Sequence, residues 1–277
     1  MLTASELKTF LQLHNLRLTK RLGQHHLVDP RLVQRLMDRL RLSSSDTVVE
    51  IGAGLGALTE PLAQHAGRVI AVDVDQTICA LLRERLAQQS NVMVVCGDIL
   101  EFPWNAYEGS VVVGAIPYHI TSPILVSLCD SRRAIREVWL ILQEEVADRL
   151  TAKPGTKAYG RLSVLGQYCW DIDKVMAVPR RAFFPQPDVN SACLHLRPHP
   201  RPPAAVVEES LMFEVVKAAF AHRRKTLANC LSAHEPKLTS RPQAEALLRE
   251  VGLPVAVRGE QLSLAQFAAL ANALSRR

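Results

Sequence analysis

An apolar run ends in three glycines spaced two apart: Val48-Val-Glu-Ile51 passes into Gly52-Ala-Gly-Leu-Gly56, and a helical pattern follows. A strand that turns tightly on glycine into a helix is the opening of a parallel α/β sheet, with a ligand free to approach the backbone. The spacing is Gly-x-Gly-x-Gly, shorter than the Gly-x-Gly-x-x-Gly of a pyrophosphate binder. With an acid, Glu50, in front of it, the turn suits the amino-acid end of S-adenosylmethionine better than a dinucleotide. A tight loop that binds nothing would carry the same glycines.

The rest of the chain extends this opening. Strand patterns over 47–51, 68–73, 92–96, 110–114 and 137–142 alternate with helical patterns over 56–66, 75–88, 122–129 and 144–151. Such alternation predicts a mostly parallel sheet covered on both faces. Helices over 4–13 and 30–42 come before it. Between 160 and 196 the pattern changes to short strand-like pieces around the turn Phe183-Phe-Pro-Gln-Pro-Asp-Val189, as expected of antiparallel strands on one sheet edge. Pro198, Pro200, Pro202 and Pro203 then stop regular structure, and 206–277 carries only helical patterns. The expected organisation is a Rossmann-like α/β domain over 1–200 and a small all-helical domain over 201–277.

Composition narrows the partners. The 277 residues are 48% hydrophobic, enough to bury a core. No run reaches the roughly 18 apolar residues of a membrane span, so no membrane partner is expected. The first residues are polar throughout and read as mature protein, not as a secretory leader. Cys79, Cys96, Cys129, Cys169, Cys193 and Cys230 are scattered singly. They read as small buried hydrophobes, against a zinc site or a disulfide framework, and a reducing cytoplasm follows as the location. The net charge is +6, clustered at Arg17, Lys20 and Arg21, at Arg132, Arg133 and Arg136, at Arg180 and Arg181, and at Arg223, Arg224 and Lys225. Taken alone these are ordinary solvated faces, compatible with a polyanion.

Two further strand ends carry acids. Asp73 closes the second strand at the offset where a carboxylate accepts from ribose hydroxyls, whereas Asp75 suits a helix cap. Asp98, after the third strand in Gly97-Asp98-Ile99, reads equally as a turn residue and as an acceptor for the amine of adenine. The fourth strand ends in Gly114-Ala-Ile-Pro-Tyr118. A rigid Pro-Tyr turn can offer an aromatic face to an unstacked base, and Phe183 supplies a second ring. Taken singly, Tyr118 suits a buried or capping tyrosine and Phe183 a core phenylalanine.

In order along nearly the whole chain, these motifs resemble the ribosomal RNA adenine dimethyltransferases of the KsgA type. The resemblance runs through Arg21-Leu-Gly-Gln-His-His-Leu-Val-Asp-Pro30, Glu50-Ile-Gly-Ala-Gly-Leu-Gly56, Ala71-Val-Asp-Val-Asp75, Gly97-Asp98 and Gly114-Ala-Ile-Pro-Tyr118. It continues through Gln143-Glu-Glu-Val-Ala-Asp-Arg149, Ala182-Phe-Phe-Pro-Gln-Pro-Asp-Val-Asn-Ser-Ala192, Ala219-Phe-Ala-His-Arg-Arg-Lys-Thr226 and Arg258-Gly-Glu-Gln-Leu-Ser-Leu264. The last two lie in the helical appendage and favour the small-subunit enzymes over their large-subunit antibiotic-resistance relatives. The resemblance implies S-adenosylmethionine as methyl donor and 16S ribosomal RNA in the small subunit as partner, with two adjacent adenosines dimethylated. It implies donor contacts from Gln24, His25 and Leu27, from Glu50, Gly52, Gly54 and Gly56, from Asp73 and Val74, and from Asp98 and Ile99. It places Ala115, Ile116 and Pro117 at the reacting amine, Tyr118 and Phe183 on the target base, and Arg223, Arg224 and Lys225 on RNA phosphates. No metal is implied, and a monomer is expected because the RNA supplies the partner surface.

Two positions depart from the family pattern. The motif Asn is replaced by Ala115, which has no side-chain acceptor for the target amine; only a backbone carbonyl of Ile116 or Pro117, or a water, is left to orient it. Methyl transfer is therefore expected to be slowed while donor binding survives. His26 stands where the family has Phe, and reads as a polar residue tolerated at the rim of the donor pocket. A catalytically impaired ribosome-assembly factor is the alternative reading, followed by a large-subunit RNA enzyme and, remotely, a nicotinamide dehydrogenase.

Overall fold

The computed structural model of the chain describes residues 1–16, 25–117, 120–234 and 238–277. Contacts divide it into two compact units, Met1–Ala147 with Ile172–Pro198, and Asp148–Asp171 with His199–Arg277.

The first unit begins with α1 (Ala4–Leu13), whose Thr3 and Glu6 form a capping box. A short strand β1 (His26–Leu27) precedes α2 (Pro30–Leu40). Asp29 caps α2 and Pro30 sits in its first turn, where a missing N–H costs nothing. Leu32, Val33, Leu36, Met37 and Leu40 share its buried stripe. Then come β2 (Thr47–Ile51), α3 (Thr59–His65), β3 (Arg68–Asp73), α4 (Gln76–Arg85), β4 (Val92–Cys96), β5 (Ser110–Ala115), α5 (Thr121–Asp130), β6 (Ile135–Gln143) and α6 (Glu144–Leu150). After α7 (Arg161–Cys169) the chain forms β7 (Trp170–Val178), β8 (Phe183–Phe184) and β9 (Ser191–Pro198).

The main sheet has the order β4-β3-β2-β5-β6-β9-β7. Strands β4 to β6 are parallel, and β9 runs antiparallel to β6. Its centre is apolar on both faces, with Val48, Val49, Val111 and Val112 fully buried, which is why these strands read as unbroken hydrophobic runs. A second, two-stranded sheet pairs β1 with β8, His26 opposite Phe184 and Leu27 opposite Phe183.

The second unit contains α7 followed by α8 (Glu209–Ala221), α9 (Leu227–Ser232), α10 (Arg241–Glu250) and α11 (Leu264–Ser275). Helix α8 packs on α7, α9 and α11 around Met212, Val215, Leu227 and Phe267. A single boundary near 200 does not anticipate that Asp148–Asp171 groups with these helices. The ties are specific: the buried Tyr159 hydroxyl donates to the Leu262 carbonyl at 2.9 Å, Gly155 N donates to the Glu260 carbonyl at 2.7 Å, and Tyr159 meets Phe220 edge-on. The expected strand-like pieces at the start of 160–196 are corrected too, since 161–169 is helical. Gly160 N donates to Ser163 Oγ at 2.9 Å and starts that helix. Cys79, Cys96, Cys193 and Cys230 are free thiols; Cys129 and Cys169 are not, against the expectation that none of the six is disulfide-bonded. Among the described residues, no helix is long and apolar enough to cross a membrane, and no group of three or more His, Cys, Asp and Glu could hold a metal.

Candidate active site

The sheet reverses its winding at β2, which has β3 on one side and β5 on the other. The carboxyl ends of strands beside such a switch point are where open α/β sheets bind ligands. The glycine turn leaves β2 there. Gly52, Gly54 and Gly56 have φ of +70°, +53° and +84°. The turn is tied to β3, because Gly52 N and Ala53 N both donate to the Val72 carbonyl, at 2.9 and 3.1 Å. The positive φ at Gly56 delays α3 to Thr59, later than the helix start expected at 56.

Gly54 is the tightest point. A Cβ there would lie 2.9 Å from Cε1 and 3.0 Å from Nδ1 of His26. Gly54→Ala would add a left-handed backbone cost of about 1–2 kcal/mol to that contact. We expect the variant to bind S-adenosylhomocysteine about tenfold or more weakly by titration calorimetry; an unchanged affinity would show that this turn does not meet the ligand.

Four acids surround the turn, each in a different state. Asp73 accepts from Gly54 N at 2.8 Å through Oδ2 and from Asp75 N at 3.0 Å through Oδ1. Burial pushes its pKa upward, opposed by these backbone N–H groups. Asp75 caps α4, accepting from Thr77 N at 2.9 Å and Ile78 N at 3.2 Å, as its position suggested. Glu50 is almost wholly buried, accepts from Thr59 Oγ1 at 2.5 Å, and is pushed up to about 8 chiefly by burial. Asp98 is exposed and accepts from Leu100 N at 2.9 Å. It is thus a turn residue and a cavity residue at once.

These groups line one cavity of about 480 Å³. His25, Leu27, Glu50, Gly52, Gly54, Asp73, Val74, Asp98, Ile99, Ala115 and Pro117 reach it, as expected. Gly56 lies in the turn but is not among the lining residues, and the buried Ile116 is likewise outside. The cavity fits an adenosyl amino acid: a glycine cradle with inner acids at one end, and at the other Asp98 beside the exposed apolar side chains of Val74 and Leu100. Leu100 and Ile78 escaped the sequence reading; Leu100 follows the Asp98 turn and stays exposed.

At the transfer end, Ala115 closes β5, half-buried and lining the cavity. The Pro117 carbonyl already accepts from Ile120 N at 3.3 Å and Thr121 Oγ1 at 3.2 Å. Gln24 and Tyr118 lie outside the described residues. His25 Nδ1 bonds the Pro185 carbonyl at 2.6 Å, so it carries the proton and fastens the residue to the proline-rich loop. His26 lines the cavity, and not merely its rim. Its Nε2 is shut off from solvent and has no hydrogen-bond partner among the described residues; burial lowers its pKa to about 4 and keeps it neutral.

Phe183 is not brought to the cavity. It is 6% exposed and packed in the core with Leu27, Met176 and Ala182. Successive strand residues face opposite ways, so Phe184 shares the face of its partner His26 while Phe183 turns inward. In the second unit, Arg223, Arg224 and Lys225 are exposed. The guanidinium of Arg223, however, is held by Glu260 at 2.9 Å and by the Lys157 carbonyl at 3.0 Å.

The family model for ribosomal RNA adenine dimethylase matches residues 15–276. The chain belongs to that family. It is a ribosomal RNA methyltransferase that uses S-adenosylmethionine, and its relatives are similar throughout. A ribosomal RNA small subunit methyltransferase A of Bacillus mycoides is 42% identical over 98% of this chain and 96% of its own, and one of Bacillus cereus is 41% identical over the same shares. Among solved structures, a dimethyladenosine transferase of Plasmodium falciparum is 25% identical with a TM-score of 0.73, covering 89% of this chain and 96% of its own. The 23S rRNA methyltransferase ErmE is 28% identical with a TM-score of 0.66, covering 90% and 99%.

Proposed function

We propose that this adenine dimethylase family member dimethylates the exocyclic amines of two adjacent adenosines in 16S ribosomal RNA of the small subunit, with its transfer step slowed by Ala115. The observation that carries the reading is the convergence of the glycine turn, Glu50, Asp73, Asp98 and Ala115 on one cavity at the carboxyl edge of the sheet. S-adenosylmethionine supplies an electrophilic methyl group there. Gly52 and Gly54 would hold its methionyl end, with Gly56 shaping the turn. Asp73 would take its ribose, and Asp98 its adenine amine, with Val74 and Ile99 beside the base. His25 and Gln24 would close the site. Tyr118 is the residue proposed to stack on the target base; Phe183 is not, because its ring is spent in the core. Rate would come from holding the amine in line with the methyl group. We read the protein as a monomer acting in the cytoplasm.

Incubation with tritiated S-adenosylmethionine and small subunits lacking the dimethyl marks tests this. Label in 16S RNA as dimethyladenosine is the expected result. Label only in large-subunit RNA would overturn it. Binding to small subunits with no transfer would favour the assembly-factor reading, which the missing acceptor at Ala115 supports.

The RNA surface makes its own prediction. Among the described residues Arg224 and Lys225 are exposed and in no ion pair, whereas Arg223 is engaged by Glu260. Replacing Arg224 and Lys225 by Ala should reduce the slope of log affinity against log salt by about 2, close to one per phosphate contact. Arg223→Ala should change that slope less and lower the melting temperature more. Equal slopes for the double variant and the parent would remove these residues from the RNA interface.

A further inference from the structure

Two free cysteines converge on Asp73 behind the cavity wall. Cys79 lies in the first turns of α4 and is buried; Cys96 ends β4 and is the exposed cysteine of the six. The parallel register explains the convergence, since Cys96 is the direct partner of Asp73, and Cys79 Sγ donates to the Asp73 carbonyl at 3.4 Å. The Asp73 carbonyl also accepts from Gly97 N, the residue after Cys96, at 2.9 Å. Both cysteines therefore lie against the main chain of Asp73, whose carboxylate fastens Gly54. The residues next to the pair, Ile78 on one side and Gly97 and Asp98 on the other, line the cavity. Neither cysteine lines it.

We propose that Cys79 and Cys96 are a reversible dithiol–disulfide switch that sets the affinity of the methyl-donor site. The proposal rests on the reading of this cavity as that site. The oxidant is a low-molecular-weight disulfide. The exposed Cys96, as thiolate, attacks one of its sulfurs; a mixed disulfide forms and one thiolate leaves. Cys79 then loses its proton to solvent and attacks the Cys96 sulfur. The second thiolate leaves, and both released thiolates take up the protons that the cysteines gave away. Two thiols are oxidised and one disulfide reduced. Burial holds the Cys79 thiol up at about 12, so the second step is the slow one. Closing the bond sets the two sulfurs about 2.05 Å apart and draws α4 and the end of β4 together. The Asp73 carbonyl loses its S–H donor, and the two carboxylates at the ribose and adenine ends shift from their places.

The test treats the protein with glutathione disulfide, maps its disulfides by peptide mass, and titrates S-adenosylhomocysteine before and after. The expected result is a Cys79–Cys96 linked peptide with an affinity about tenfold weaker, the loss of roughly one charge-assisted hydrogen bond. Dithiothreitol should restore it, and Cys96→Ser should bind equally with and without oxidant. A mixed disulfide at Cys96 that never closes on Cys79 would overturn the proposal. So would a closed pair with unchanged affinity. If the untreated protein does not bind S-adenosylhomocysteine at all, the reading of the cavity fails first and the switch with it.

Discussion

Ala115→Asn should raise methyl transfer to RNA by about 10²–10³-fold, the usual effect of one positioned hydrogen-bond partner at a reacting centre. The target amine needs an acceptor to aim its lone pair at the donor methyl group and to offset the charge that develops on nitrogen. Ala115 ends β5, where its main chain pairs with Ile141 of β6, so the backbone is already placed by the sheet. The position is half-buried and lines the cavity, which leaves room for a longer side chain. Of the substitutes named from sequence, the Pro117 carbonyl is the poorest. Its lone pairs face Ile120 N–H and the Thr121 hydroxyl. Only the transition state feels the missing bond, so kcat should rise while the affinity for S-adenosylhomocysteine stays within about twofold. Single-turnover transfer to unmethylated small subunits measures the first quantity and calorimetry the second. Equal rates for the two proteins would mean that another group already orients the amine.

The same strand ends show what sequence can and cannot reveal. Asp73, Asp75 and the three glycines were legible because parallel sheets bind at their carboxyl edge, and the order of strands fixes which residues arrive there. Asp75 as a cap followed from local chemistry alone. Phe183 and Phe184 were not separable, because adjacent strand residues differ only in the face they take. That face is set by the pairing of Leu27 with Phe183, 156 positions apart in a chain whose turn gives no register signal. Arg223 looked like its neighbours until Glu260 was seen beside it. The grouping of Asp148–Asp171 with the C-terminal helices was hidden for a similar reason. Tyr159 meets Leu262 across 103 residues, and no periodicity reports such a contact. His26 was visible as a departure, but not as a residue pressed against Gly54.

Glu50 should make the protein lose stability as the solution becomes alkaline. The carboxyl is 1% exposed, and its pKa is pushed up to about 8 from an ordinary 4.5. Burial is the main cause, and the hydrogen bond from Thr59 opposes it; the charge of Asp73 adds a smaller upward push. A folded-state pKa above the unfolded one means that the folded chain holds a proton the unfolded chain has given up. The stabilisation is fully present below about 4.5 and is lost as pH rises through about 8. A shift of this size corresponds to several kcal/mol. Glu50→Gln keeps the shape and cannot ionise, so it lacks this dependence. Its melting temperature, measured relative to the parent, should climb by about 5–10 °C between pH 5 and pH 9. The donor site shares the consequence. A ligand ammonium beside Glu50, as the methionyl end of the donor would bring, favours the ionised carboxylate. Donor affinity in the parent should therefore strengthen from pH 6 to pH 8 with release of a proton, and Glu50→Gln should flatten that rise. Melting curves that run parallel for the two proteins would mean that Glu50 is ionised in the folded state at neutral pH, its charge balanced by something other than Thr59.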